Sequence, residues 1–261
     1  MLRSTISICL TVLALAVSSS IAAAEKVIIG AYPANPPWEY KNDAGVFEGY
    51  EIDIITEAVK RLNWEPEFVD MGFQALFAAI SSKRIEFAVS TISITPERLQ
   101  AQSFSQPYYD SEAAIIAREE ITSLEQLKGK VVGTLAGTTF EQWVKDAQAE
   151  LGIAEIKSYQ TRQDSLLELA NGRTDAGVGD VEGIKTAMAL YPNLKMGVKW
   201  PKSEHYGIMG SKDSERIGQL NEALSTMKSD GTMAAIYKKW FKTDPEAGSS
   251  TVTPMPLPKP E

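Results

Sequence analysis

Cysteine is nearly absent from this chain. Cys9 is the only one among 261 residues, and it lies in an apolar run, residues 6–17, between Arg3 and three consecutive alanines that end at Ala24. This order of charge, apolar run and small residues is typical of a secretory signal peptide, for which we predict cleavage after Ala24. The exported chain would have no disulfide, thiol nucleophile or thiolate metal site, and Cys9 is not at the cleavage point, where lipid attachment would require it.

Long hydrophobic runs and an excess of positive charge are also missing. The apolar run of the leader has twelve residues, and no later stretch approaches the roughly 20 that a membrane span needs. Arg3 is one of 26 basic residues, so its removal leaves 25 basic against 34 acidic side chains, a net charge of −9 on 237 residues. This charge disfavours nucleic acid and anionic membranes as partners. Without disulfides, the exported chain depends on its core, and its length suffices for one large domain or two modest ones.

The remaining sequence alternates short apolar runs with helical periodicity, which is typical of an α/β protein with mostly parallel sheets. The pattern predicts strands over 27–31, 67–70, 87–91, 113–117, 131–134 and 176–178, and helices over 52–62, 73–80, 140–151, 217–227 and 233–240. A short similarity between RIEFAVS at 84–90 and RTDAGVG at 173–179 suggests two related halves, although joints between helices and strands reuse such residues by chance. Residues 243–261 contain five prolines and neither pattern, so we predict a disordered tail.

Residues 90–98, STISITPER, join a predicted strand to a predicted helix start. Thr95 can cap this helix, with Pro96 at its first position and Glu97 in its first turn. Free backbone N–H groups, nearby hydroxyls and the guanidinium of Arg98 would together form a site for a carboxylate. A capped helix with a surface arginine explains the same residues equally well.

Two further helix starts follow predicted strands. Thr138 and Glu141 have the spacing of a capping box, and Asp180 precedes an apolar helical series and fits an N-cap. Plain capping is the simpler explanation for both. The helix starts at Thr95 and Thr138 both suit an anion, and on two lobes they would hold one ligand between them. The Asp180 carboxylate, at the carboxyl end of a strand, could instead hold an ammonium group.

The segment 32–40, YPANPPWEY, is stiffened by three prolines and can present aromatic faces to a small ligand. The alternative is a rigid surface loop whose Trp38 packs into the core.

The chain resembles a known family in a series of motifs that cover most of residues 26–241. They are GVFEGYEID at 45–53, SITPER at 93–98, FSQPYY at 104–109, LKGKVVG at 127–133, GTT at 137–139, GRTDA at 172–176, Asp180, DGT at 230–232 and KWF at 239–241. These motifs, in this order, resemble the polar amino-acid-binding periplasmic proteins of ABC importers.

The resemblance implies a type II periplasmic binding protein fold, in which two α/β lobes, each with a mostly parallel sheet flanked by helices, are joined by two hinge crossings. The order of the motifs places lobe 1 at 25–110 and 206–242 and lobe 2 at 111–205. It also implies a monomeric protein that closes on an amino acid or close analogue and delivers it to the importer's permease. We expect no catalytic activity, cofactor or metal.

By the same resemblance, Arg98 would bind the ligand's α-carboxylate with the backbone of Ser93 and Thr139. Asp180 and the region of Ser90 and Thr91 would hold the α-ammonium. The complete expected ligand-binding set is Arg98, Asp180, Ser93, Thr139, Thr138, Ser90, Thr91, Phe73, Tyr32, Asn35, Trp38 and Leu135, with Phe73 and Asn35 flanking the ligand's side chain.

One departure concerns ligand choice, because Tyr32 corresponds to a position where many members of the family carry an acid. Its loss disfavours lysine or arginine as ligand and favours neutral polar or aromatic amino acids. Glu39 could restore an acid if its side chain reaches the pocket.

Two alternatives share this scaffold. One is a sensor that docks on a chemoreceptor, and the other is an enzyme similar to the dehydratases that act on prephenate-like acids. His205, the only histidine, has no nucleophile motif around it and is expected to be an ordinary residue near a lobe crossing. The candidate general acids for an enzyme are Glu39, Glu48 and Glu182.

Overall fold

The structure, a computed structural model, describes residues 24–260, and for residues 201–203 the backbone only. The predicted signal peptide, Ala24 excepted, lies outside the described residues. The strands are β1 Glu25–Ala31, β2 Ala34–Asn35, β3 Glu39–Lys41, β4 Phe47–Glu48, β5 Trp64–Asp70, β6 Phe87–Val89, β7 Gln102–Phe104, β8 Tyr109–Ala117, β9 Val131–Leu135, β10 Glu155–Tyr159, β11 Ala176–Asp180, β12 Lys195–Tyr206 and β13 Met209–Ser211. The helices are α1 Tyr50–Arg61, α2 Phe73–Ser81, α3 Pro96–Ala101, α4 Thr139–Leu151, α5 Arg162–Ala170, α6 Val181–Leu190, α7 Glu215–Ser229 and α8 Thr232–Phe241, with a 3₁₀ turn at Leu124–Leu127.

Lobe 1 is built on a five-stranded sheet in the order β5-β1-β6-β13-β7. Strand β1 pairs in parallel with β5 and β6, whereas β13 is antiparallel to β6 and β7. Helices α1, α7 and α8 pack together over one face, and α2 covers the other. Side chains alternate along a strand, so every second residue of β1 packs into the core between the sheet and helices α1, α7 and α8; these residues are Val27, Ile29 and Ala31.

Glycine allows close packing at two points of lobe 1. A Cβ on Gly30 would lie 2.6 Å from Ile85 Cδ1 and 2.7 Å from Leu76 Cδ2, so α2 can approach the sheet only because that atom is missing. Gly49, at the start of α1, has φ of +141° and its Cβ would lie 2.1 Å from the carbonyl oxygen of Trp38. The glycine of the GVFEGYEID motif therefore lets the loop around Trp38 rest on α1.

Lobe 2 has a second five-stranded sheet in the order β10-β9-β11-β8-β12. Strand β9 is parallel to β10 and β11, and β8 is antiparallel to β11 and β12. Helices α4, α5 and α6 flank this sheet and enclose two further apolar clusters. Each sheet thus combines two parallel and two antiparallel pairings.

Two strands connect the lobes. Strand β8 leaves lobe 1 at Tyr109, and β12 returns to it at Tyr206, where the two residues are register partners. Several strands were not predicted, because they are short or show no regular alternation of apolar and polar residues. They are β2, β3, β4, β7, β10, β12 and β13. Strand β6 also ends at Val89, two residues before the predicted end.

The C-terminal tail differs from the sequence-based prediction of disorder, because it follows an ordered path over lobe 1. Ser250 N donates to Asp110 Oδ2 at 2.8 Å, and Thr251 Oγ1 donates to Tyr108 O at 3.0 Å. Ser250 and Thr251 are buried, and Leu257 packs on the core of lobe 1. The composition suggested disorder, but backbone and hydroxyl groups of the tail find partners at the base of β8.

Within residues 24–260, no helix combines the length and apolar character that crossing a membrane requires.

Candidate functional site

A pocket lies between the two lobes, where β1, β6 and β9 reach their carboxyl ends. Open α/β sheets bind ligands at such crevices. Its empty volume is about 360 Å³, counted to its open mouth. Ten of the twelve residues predicted for the site line it, and the lining is Tyr32, Asn35, Phe73, Ser90, Thr91, Ser93, Arg98, Leu135, Thr138, Thr139, Phe140 and Arg162.

The Arg98 side chain is fixed by the helix start predicted from STISITPER. Thr95 caps α3 by accepting a hydrogen bond from Arg98 N at 3.2 Å, and Pro96 occupies the first helical position. Arg98 Nη1 donates to Ser93 O at 2.8 Å, and Nη2 donates to Gly137 O at 3.2 Å. Since Gly137 belongs to lobe 2, the guanidinium bridges the lobes beside the pocket.

Aromatic rings and burial set the electrostatics of Arg98. Its guanidinium carbon lies 5.0 Å from the ring centre of Phe77 and 5.8 Å from that of Phe73. Burial lowers the pKa of Arg98 from 12.5 to about 10, against the opposing charge of Glu204. The group remains a cation at neutral pH, but one that has lost much of its water, so an anionic partner would interact with it strongly.

The second helix start faces Arg98 from lobe 2. Thr138 caps α4 by accepting from Glu141 N at 3.1 Å, and Glu141 Oε2 accepts from Gly137 N at 2.8 Å, one residue before the position expected for a capping box. Ser93 Oγ and Thr139 Oγ1 are 3.2 Å apart across the cleft. Two capped helix starts and their hydroxyls thus converge on the pocket.

Asp180 is the N-cap of α6, as predicted, but it stands behind the pocket wall. Its Oδ1 accepts from Gly183 N at 2.7 Å and, across the lobes, from Trp38 Nε1 at 3.1 Å. Its Oδ2 accepts no hydrogen bond from the described part of the chain and lies 3.7 Å from Arg162 Nη2. The buried carboxylate therefore has one oxygen with unused acceptor capacity beside the pocket.

Trp38 does not line the pocket, which corrects its prediction as an aromatic wall. The side chain is fully buried, and its ring centre lies 4.6 Å from that of Tyr109 and 5.4 Å from that of Phe241. The large ring fills the core of lobe 1 next to the hinge strands, while its Nε1 reaches Asp180. The alternative interpretation of the loop, with Trp38 packed into the core, is the one that the structure contains.

Tyr32 links the first loop to lobe 2. Its hydroxyl donates to Gln163 Oε1 at 2.7 Å and accepts from Arg162 N at 3.3 Å. Gln163 Nε2 in turn donates to Ala34 O. The first loop and the start of α5 are therefore held together in a closed arrangement.

Glu39 does not enter the pocket but lies directly beneath it. The carboxylate is fully buried, and Oε1 accepts from Ser90 Oγ at 2.8 Å and Asn35 Nδ2 at 3.1 Å. Burial and the neighbouring Glu51 raise the pKa of Glu39 well above 4.5. Glu51 accepts from Thr91 N at 2.8 Å, so this pair of acids orients three lining residues from below.

Two lining residues were not among those predicted. Phe140 was predicted only as the first residue of the helix over 140–151, and Arg162 lies in a helix that was not predicted. A signal was present, since Thr161 and Asp164 have the spacing of a cap, and Thr161 Oγ1 accepts from Asp164 N at 3.0 Å. The strand before this helix, β10, was not predicted, so nothing in the sequence indicated that the start of α5 faces the cleft.

The groups considered for catalysis are not among the residues that line the pocket, although Glu39 lies directly beneath it. His205 Nδ1 is 2.7 Å from Asp110 Oδ1 on the paired hinge strands. Glu182 pairs with Lys185 on α6, and Glu48 accepts from Asn42 Nδ2 at 3.4 Å. No cluster of three or more His, Cys, Asp or Glu residues suited to a metal occurs within residues 24–260.

Known proteins resemble this chain over most of its length. The histidine-binding periplasmic protein of Escherichia coli (strain K12) is 34% identical over 252 residues, which cover 90% of this chain and 96% of that protein. The putative ABC transporter arginine-binding protein 2 of the same strain is 31% identical over 232 residues, covering 86% and 94% of the two chains.

Solved structures agree with this similarity. An ancestral arginine-binding protein bound to arginine superposes with a TM-score of 0.79 at 33% identity, covering 84% of this chain and 99% of that one. An ancestral arginine-binding protein bound to glutamine gives a TM-score of 0.78 at 34% identity, with coverage of 84% and 98%. The family model for bacterial extracellular solute-binding proteins, family 3, matches residues 27–243. The two lobes, the interlobe pocket and this match show that the chain belongs to the bacterial extracellular solute-binding proteins, family 3.

Proposed function

We propose that the protein captures an amino acid or close analogue between its lobes, outside the cytoplasm, and delivers it to the permease of an ABC importer. One observation carries the proposal: the Arg98 guanidinium lies at a capped helix start and faces a second capped helix start across the cleft. Helix N-termini and a guanidinium fork both favour a carboxylate. The proposal includes export by the signal peptide and cleavage after Ala24.

In this proposal the α-carboxylate binds Arg98, with backbone and hydroxyl donors of Ser93 and Thr139 beside it. The α-ammonium binds Asp180, whose Oδ2 has unused acceptor capacity among the described residues. Asn35 and Phe73 contact the remainder of the ligand. Opposite charges on the two lobes would make closure part of binding, since neither lobe alone satisfies both ends of the ligand.

Some relatives are named for arginine or histidine, but those names do not carry over to the ligand of this chain without support from the pocket. The structure of the ancestral protein with glutamine is evidence that closely similar folds hold uncharged side chains. At the first loop this chain has Tyr32, whose hydroxyl is hydrogen-bonded to Gln163 and supplies no negative charge. We therefore expect lysine and arginine to be poor ligands.

The direct test is a thermal-shift screen of the exported chain, residues 25–261, against the twenty L-amino acids, followed by calorimetry on those that raise the melting temperature. Saturable one-to-one binding of an amino acid is expected. Incubation with prephenate or arogenate tests the enzyme alternative through release of an aromatic product. If no amino acid binds and an aromatic product forms, the proposed function is wrong.

Transport and sensing require a separate test, because both would use the same pocket. Uptake of labelled ligand into vesicles that contain the cognate permease and ATPase should depend on the added protein. Failure to support uptake, together with ligand-dependent binding to a chemoreceptor ectodomain, would favour the sensor.

A further inference from the structure

We propose that the pocket selects an amino acid with a second carboxylate, and that Arg162 is the residue that binds it. This inference rests on the proposed function, since it specifies the ligand of the same site. It differs from the ligands named for the relatives and from the neutral ligands expected from Tyr32 alone.

The position of Arg162 is the first reason. It is the first residue of α5, its backbone N donates to Tyr32 OH at 3.3 Å, and its side chain lines the pocket. The same side chain also lines an adjoining cavity, so the guanidinium lies between two open spaces of the cleft.

The guanidinium also has donors to spare. Its Nη2 is 3.7 Å from Asp180 Oδ2, which is longer than a hydrogen bond. Its Nε is buried and has no hydrogen-bond partner within the described chain. A planar fork with unused N–H groups at a pocket wall is suited to a bidentate carboxylate.

The distribution of acids is the second reason. Arg98 and Arg162 are the charged side chains among the described residues that line the pocket. The nearby acids are engaged behind the wall: Asp180 Oδ1 by Trp38 and Gly183, Glu204 by Ser93 Oγ, and Glu39 by Ser90 and Asn35. Two guanidinium groups therefore face the ligand from the pocket lining, and the acids stand behind that lining, where Asp180 Oδ2 is the carboxylate oxygen with capacity to accept from an ammonium group.

Ligand charges can then be ranked. A dicarboxylic amino acid offers one carboxylate to each arginine and its ammonium to Asp180 Oδ2. Glutamine would leave Arg162 with Asp180 Oδ2, 3.7 Å away, as its anionic partner and no carboxylate within hydrogen-bond distance when closure removes water from it. Arginine would add a third guanidinium beside the two already present, which is unfavourable in a site of low dielectric.

Calorimetry with matched ligands tests this ranking on the exported wild-type chain. Glutamate and glutamine, and aspartate and asparagine, differ within each pair only in a charged oxygen against an amide nitrogen. In at least one pair the acid should bind about 30-fold tighter or more, and L-arginine should bind more weakly than that acid. This comparison needs no variant, so it does not depend on whether a substitution folds.

The variant Arg162→Gln should then reduce the preference for the acid to less than about threefold while binding the amide at least as well as the wild type. Arg173→Gln is the matched control, because Arg173 is an exposed arginine of the same lobe, paired with Glu168 on the surface. It should retain the wild-type preference. Wild-type protein that prefers glutamine, asparagine or arginine, or Arg162→Gln that keeps the full preference for the acid, would overturn the inference and leave the proposed function standing. If no amino acid binds at all, the proposed function itself fails.

Discussion

Replacing Arg98 with alanine is expected to remove ligand binding while leaving the unliganded protein nearly as stable as the wild type. The side chain donates to Ser93 O and Gly137 O and packs on the rings of Phe73 and Phe77. These contacts favour the folded state, but they hold a cation in a place largely shielded from water. The two effects oppose each other in stability, whereas both favour a carboxylate ligand.

The magnitudes follow from the pKa and from the contacts. Burial lowers the pKa of Arg98 from 12.5 to about 10, so the charged form is disfavoured in the folded protein by about 3 kcal/mol. Packing of the alkyl stem and the cation–π contacts contribute about 1 to 3 kcal/mol in the other direction. The net change in the free energy of unfolding should therefore lie within about 2 kcal/mol of zero. Loss of the ligand's anionic partner should weaken binding by about 2 to 5 kcal/mol, or about 30-fold to several thousandfold.

Two measurements separate these effects. Urea unfolding without ligand gives the change in stability, and calorimetry with the ligand that binds the wild type most tightly gives the change in affinity. Arg98→Lys should also bind weakly, because an ammonium group cannot reproduce the fork, and Arg173→Ala should behave as wild type in both assays. Tight binding by Arg98→Ala would refute the carboxylate assignment, and unfolding of that variant would refute the stability reasoning.

Three further predictions concern acid burial, the tail and closure. Burial and Glu51 raise the pKa of Glu39 well above 4.5. As the pH rises, the unfolded chain therefore loses the Glu39 proton at a lower pH than the folded protein does, and wild-type stability should fall above about pH 4.5. Relative to wild type, Glu39→Gln should therefore become more stable between about pH 5 and pH 8 in urea unfolding. If the difference in the free energy of unfolding between variant and wild type does not change with pH in that range, the raised pKa of Glu39 is contradicted. Deleting residues 244–261 should lower the free energy of unfolding by about 2 kcal/mol, since Lys228 Nζ loses Thr253 O and the base of β8 loses the Thr251 hydroxyl; full stability of the truncated chain would show that the tail contributes nothing. Saturating ligand should reduce the radius of gyration in small-angle scattering from the unliganded protein, and an unchanged radius would count against a hinge mechanism.

The helix caps and the amphipathic helices could be predicted from the sequence, because they depend on residues close together in the chain. The caps by Thr95, Thr138 and Asp180 form as predicted because each depends on a side chain and a backbone N–H only three residues away. The amphipathic helices of the core follow from their 3.6-residue period. Ten of the twelve site residues that the family resemblance implied line the pocket.

Tertiary structure decided what depends on partners distant in the chain. Composition predicted a disordered tail, but Ser250 and Thr251 are buried because β8 offers them hydrogen-bond partners about 140 residues away. Spacing could not tell whether Trp38 faces a ligand or the core, since that depends on the rings of Tyr109 and Phe241. The sequence contains Arg162 without any mark of function. Only the packing of α5 across the cleft from Tyr32 brings its guanidinium to the pocket, because a contact between lobes has no local period or spacing that a sequence pattern could carry.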